Sequence, residues 1–108
     1  MNLTHQKALR RWLLIVLAES GGGATKGEAL RGIRRKYGHM LTDADKDVQP
    51  SNGETKWENR TAYERANLVR EHLIRPRSEV PKGWWELTAT GRAEAQRFTA
   101  AETEGQAL

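Results

Sequence analysis

Residues 82–91 read KGWWELTATG and place two of the chain's four tryptophans side by side. Along a β-strand, successive side chains point to opposite faces. Adjacent indoles on a strand therefore cannot both enter one core. Trp85 shares a face with Leu87, so both are expected inward. Trp84 shares the other face with Glu86 and is expected outward. Lys82-Gly83 reads as the end of a turn. Thr88 or Thr90 reads as the cap of a helix that follows.

Upstream of this stretch, residues 73–77 (LIRPR) look extended, and Pro76 suits a sheet edge. With a turn over residues 78–83, the two extended pieces make a hairpin. Three helical segments come before it. In residues 4–19, Ala8, Leu9, Trp12, Leu13, Val16 and Leu17 keep helical spacing. Leu14 and Ile15 widen the apolar face, so this helix is buried on several sides. It is either the central core helix or part of a dimer contact. Gly21, Gly22 and Gly23 end it. Thr25-x-x-Glu28 is a capping box that opens a second helix to about Tyr37, with Leu30, Ile33 and Tyr37 inward. Residues 42–54 are polar and loop-like, with a helical turn after Thr42. Thr55-x-x-Glu58 is a second capping box and opens a helix over about 56–72. The last helix runs to about residue 102, with Ala93, Phe98 and Ala101 inward.

The order helix, helix, helix, strand, turn, strand, helix defines an α+β, mainly α, architecture. It is a winged helix-turn-helix: three helices, a two-stranded β-hairpin wing and a C-terminal helix. Residues 1–100 are expected to form this domain and residues 101–108 a polar tail.

The net charge is +4, and the two acids of the tail leave 18 basic against 12 acidic side chains in residues 1–100. That excess favours a polyanionic partner, nucleic acid before membrane. There is no cysteine, which excludes disulfides, thiolate metal sites and a cysteine nucleophile. The layout of the first twenty residues is similar to a short secretory signal. A first helix of a folded, cytoplasmic domain explains them equally well, and the apolar run at 12–18 is too short to span a bilayer.

The third helix carries the chemistry. At about 100° per residue, Lys56, Arg60, Tyr63, Asn67 and Arg70 form one polar stripe with Asn59 at its edge. A recognition helix needs such a face to enter a major groove. Arg and Lys suit guanine edges or phosphates, and Asn suits adenine. The bland alternative is the solvated face of an amphipathic helix. Arg65 resists this placement, because it lies between the apolar flanks. It is either buried and paired with Glu28 or Glu58, or the helix is rotated. The wing offers Arg75, Arg77, Lys82 and Trp84. The second helix offers Arg34 and Arg35 as candidate phosphate contacts.

Other patterns are set aside. Residues 43–54 mimic a calcium loop, but Val48 stands where the sharp turn needs glycine. Glu54-Thr55-Lys56 has the Glu-x-Lys order of a nuclease site but lacks flanking strands to hold metal ions. His5, His39 and His72 have no ligand spacing. No catalytic residue, metal site or cofactor is expected.

The motif WENR-x(2)-Y-x(4)-L at 57–68, then Leu73-Ile74, then GWWELT-x-x-GR at 83–92, resembles the N-terminal domain of Mrr-type restriction proteins. The QPSNG loop at 49–53 is similar as well, and the likeness covers about residues 25–96. It implies a winged helix that stands ahead of a nuclease domain in modification-dependent restriction systems. The family often has glycine where His72 stands, so this helix end must be built differently. The family's nuclease domain is absent from this sequence, so cutting is not carried over. The expectation is a double-stranded DNA-binding domain that targets a restriction or defence system, with methylated DNA among its candidate ligands. A stand-alone transcriptional regulator, dimeric through the first helix, is the second reading. A protein–protein adaptor is the third.

Overall fold

Helix α1 (Gln6–Glu19) runs through the middle of the molecule in this computed structural model, which describes residues 2–107. Leu9, Trp12, Leu13, Leu14, Ile15, Val16 and Leu17 are all buried. They are covered by α2 (Lys26–Tyr37), α3 (Lys56–Arg70) and α4 (Ala89–Ala107), each of which packs on α1. The helix with apolar residues nearly all round is thus the central core helix. Trp12 stacks on Tyr37 of α2, with ring centroids 4.7 Å apart. Arg10 reaches from α1 to Glu71 just past α3 in a two-pronged ion pair of 2.5 and 2.6 Å.

Both capping boxes form. Thr25 accepts from the backbone N–H of Glu28 at 3.2 Å, and Glu28 accepts from the N–H of Thr25 at 3.1 Å. Thr55 and Glu58 repeat the exchange at the start of α3. Leu30, Ile33 and Tyr37 are buried as their spacing requires.

The sheet differs from the expected hairpin. Its strands are β1 (Gly23–Thr25) and β2 (Trp84–Glu86), antiparallel, with Ala24 opposite Trp85. The segment at 73–77 forms no regular strand. It meets the end of β2 through one bridge, Ile74 with Leu87, and through Arg75 N–H to the Glu86 carbonyl at 2.8 Å. Pro76 has no N–H to extend the ladder, and Arg77–Glu79 turns into a short 3-10 helix. The wing is therefore a minimal one, and the three glycines do more than stop α1. Gly23 begins a strand, and a Cβ there would lie 2.7 Å from the Trp84 indole nitrogen. The alternation read from WWEL holds: Trp85 and Leu87 are buried, and Trp84 and Glu86 are half-buried.

Helix α3 ends at a Schellman motif. The N–H of Leu73 bonds the Leu68 carbonyl at 2.9 Å, and that of His72 bonds Val69 at 3.0 Å. His72 adopts φ 63°, the left-handed conformation that glycine takes most easily. The departure from the family's glycine thus keeps the turn and accepts its strain. Thr88 then ties three elements together. Its hydroxyl donates to the His72 carbonyl at 2.6 Å and accepts from the Gly91 N–H at 3.0 Å.

In α4 the inward positions are Gly91 and Ala95, with Phe98 half-buried, while Ala93 and Ala101 are exposed. The expected inward set was therefore partly misplaced. The helix also continues beyond residue 100 into the segment expected to be a tail, where Glu102 accepts a hydrogen bond of 2.9 Å from the Tyr37 hydroxyl. Among the described residues, no helix is long and apolar enough to cross a membrane.

Two substitutions should move stability in opposite directions. Gly91→Ala should cost about 3 kcal/mol, because an added methyl meets backbone that cannot swing away. His72→Gly should add about 1 kcal/mol by removing left-handed strain. Thermal denaturation checks both, and shifts of the same sign would contradict this description.

Candidate nucleic-acid interface

The buried side chains of α3 fix how the helix is turned. They are Trp57, Thr61, Glu64, Arg65 and Leu68. At about 100° per residue, the opposite face carries Asn59, Tyr63, Ala66 and Arg70, with Lys56 and Ala62 on its flanks. Tyr63 is 62% exposed, and Arg70 is exposed as well. The helix is thus rotated from the expected stripe. The rotation brings Ala62 and Ala66 toward the outer face and leaves Tyr63 outside.

It also turns Arg60 and Asn67 aside. Arg60 donates to the Thr4 carbonyl at 2.6 Å and lies 3.8 Å from the carboxylate of Asp45. Asp45 is fully buried. It accepts from the N–H of Thr4 and the N–H of Thr42, each at 2.8 Å, and from the Thr4 hydroxyl. Burial alone would disfavour the charge, but these hydrogen bonds outweigh it and hold the carboxyl below its usual range. The acidic loop therefore turns one carboxylate inward as an anchor for α3 and the N-terminal segment. Asn67 donates to the buried Glu64 at 3.1 Å and accepts from Arg70.

At the start of α3, Lys56 stands 3.9 Å from Asp47. Glu54, the acid of the nuclease-like triplet, is bound by Lys26 of α2 at 2.6 Å. That hydrogen bond leads in lowering the Glu54 pKa, burial opposes it, and Asn59 adds a smaller contribution. The middle residue of the triplet, Thr55, caps the helix.

The wing side chains separate into two groups. Arg75 is committed to Glu86 at 3.0 Å and to Glu79 at 3.5 Å. Arg77 and Lys82 are exposed and have no carboxylate in ion-pair range among the described residues. Trp84 lies across Gly23 and donates through its indole N–H to Glu86 at 3.2 Å. On α2, Arg34 sits 3.5 Å from Glu58 and 5.9 Å above the Trp57 ring, while Arg35 is exposed.

Arg65 is not among the candidates that the sequence offers. It is buried, yet neither Glu28 nor Glu58 pairs with it. Its guanidinium lies 5.8 Å from the centre of the Trp85 ring. Burial first, and the charge of Arg77 second, push its pKa below the usual arginine value. The signal was present in the sequence as an arginine between apolar flanks. A cavity of about 850 Å³ lies elsewhere, between the ends of α1, α2 and α4, and is lined by His5, Trp12, Tyr37, Met40 and Glu102. No interface candidate borders it.

Fold and exposed helix face together define the class, a winged-helix domain with one helix presenting hydrogen-bonding side chains beside a basic wing. The Mrr N-terminal domain family matches residues 7–97. The chain belongs to that family, an N-terminal domain associated with restriction systems. No curated protein and no solved structure gives a significant match.

The two orientations on α3 predict different consequences. Arg60→Ala should cost about 2 kcal/mol, because a charge-assisted hydrogen bond is lost beside a buried carboxylate. Tyr63→Ala should stay within about 0.5 kcal/mol, as an exposed substitution does. Urea unfolding measures both, and equal losses would contradict the anchoring role of Arg60 at Thr4 and Asp45.

Proposed function

We propose that this chain is a double-stranded DNA-binding domain and serves as the targeting module of a restriction or defence system in the cytoplasm. The observation that carries the reading is the outer face of α3. Asn59, Tyr63 and Arg70 lie opposite the core, and Ala62 and Arg65 of the same helix share a cleft with Arg77 and Lys82 of the wing, which have no ion-pair partner among the described residues. A helix of this kind fits a major groove, and wing cations suit the phosphates alongside it. Asn59 suits adenine, and Arg70 suits guanine or phosphate. Lys56 stands at the edge of the same face.

Family membership supports the restriction setting. It also motivates methylated DNA as a candidate ligand, since the resemblance is to modification-dependent systems. The chain would act by binding, and cutting would belong to another domain or partner. The dimeric-regulator reading draws less support, because the apolar residues of α1 are covered by the chain's own helices.

Fluorescence anisotropy with labelled duplexes tests the proposal, using unmodified, adenine-methylated and cytosine-methylated DNA at two salt concentrations. Binding that weakens as salt rises is expected, since phosphate contacts release counterions. A preference of tenfold or more for one methylated duplex would make this a modification reader. Equal binding to all three would leave a general DNA-binding domain. Absence of binding at low salt would contradict the proposal and favour a protein-binding adaptor.

A further inference from the structure

Beside α3 and the wing lies a cleft of about 550 Å³. Lys26, Arg65, Arg77 and Lys82 line it together with Trp84 and Trp85, and no acidic residue does. Lys26 has a partner outside the cleft wall, Glu54. Arg65 has none. It is 9% exposed, makes no hydrogen bond or ion pair among the described residues, and rests against the Trp85 ring. A buried cation normally pairs with an acid, because removing a charge from water is costly. Here the nearby charge is a second cation, Arg77, which repels it. The arrangement is electrostatically incomplete, and an anion in the cleft would complete it.

The chemistry of that anion follows from the groups present. A guanidinium presents a planar fork that matches two oxygens of a phosphate. Two arginines and two lysines give more positive charge than one carboxylate would balance. The cleft also adjoins the face proposed to meet DNA. Ala62 of α3 lies on its wall, next to Tyr63 in sequence, and Arg77 and Lys82 come from the wing. A duplex laid along α3 would bring its backbone past this opening.

We propose that the cleft is a phosphate site in which Arg65 and Arg77 hold one phosphodiester of the bound duplex, with Lys26 and Lys82 adding to the field. The inference rests on the duplex-binding reading above, and its test separates the two. The whole chain and its Arg65→Gln and Arg65→Lys variants are titrated with one labelled duplex across a range of salt. In parallel, inorganic pyrophosphate is added to the free protein while the Trp85 indole N–H resonance is followed.

Each phosphate contact contributes about −0.9 to the slope of log affinity against log salt. Arg65→Gln is expected to reduce that slope by about one and to weaken binding about tenfold. Arg65→Lys should recover most of the slope. Pyrophosphate should shift the Trp85 resonance in the parent protein and leave it in place in Arg65→Gln. Duplex binding with an unchanged slope in Arg65→Gln would overturn the phosphate site and leave the DNA reading standing. An Arg65-dependent response to pyrophosphate without duplex binding would overturn the phosphodiester and point to a small phosphorylated ligand. No response to either would overturn both. If Arg65→Gln melts early, the exposed Arg77→Gln reads the same slope, and an unchanged value there would also overturn the proposal.

Discussion

At the start of α4, Gly91 lies against the carbonyl of Leu73 so closely that a Cβ would sit 2.0 Å from the oxygen. Only glycine permits this approach without moving one backbone or the other. Thr88 completes the junction, because its N–H bonds Leu73 at 3.1 Å while its hydroxyl bridges His72 and Gly91. The end of α3, the exit from β2 and the first turn of α4 are thereby locked at one point. This is the physical content of the Leu-Thr-x-x-Gly motif. It fixes α3 relative to the wing, so Tyr63, Arg77 and Lys82 are carried on one rigid frame. Arg10 adds a second tie from the central helix, through Glu71 and, at 3.9 Å, the buried Glu64.

Within that frame, the arginines do different work despite their common charge. Arg10, Arg60 and Arg75 are engaged by the protein's own carboxylates or carbonyls. Arg77 and Lys82, at the wing, have no ion-pair partner among the described residues. Arg65 is buried with no acidic partner among the described residues. A net charge of +4 says nothing of this division. What matters for a polyanionic partner is where unneutralised charge remains, and the cleft beside α3 gathers Arg65, Arg77 and Lys82, none with an ion-pair partner among the described residues. Electrostatic steering by such a patch acts mainly on encounter and orientation, while the helix face supplies any base contacts.

Much of the fold was legible because its signals are local. Two Thr-x-x-Glu boxes mark two helix starts, and strand alternation sorts Trp84 from Trp85. The apolar run of α1 announces a central helix. The failures are equally physical. Strand β1 has three residues and contains a glycine and an alanine, too short and too small to show a period. Its pairing with β2 is a long-range fact. In α4, alanines recur on several faces, so Ala95 cannot be told from Ala93 by spacing alone. Arg60 fell within the expected polar stripe, but its partners, Thr4 and Asp45, lie far away in the chain. Asp45 itself sat in a loop whose acids look like surface residues. Arg65 was the one local clue to the true rotation of α3, since a charged residue between apolar flanks must have an unusual environment.

In the proposed complex, the outer face of α3 and the wing form one surface for duplex DNA. Amide chemical-shift mapping tests it most directly, with the isotopically labelled chain titrated by a short duplex at low salt. The largest shifts are expected at Asn59, Tyr63 and Arg70 and at Arg77 and Lys82. A duplex that shifts no amides, or whose effects centre on the cavity lined by His5, Trp12 and Met40, would contradict it.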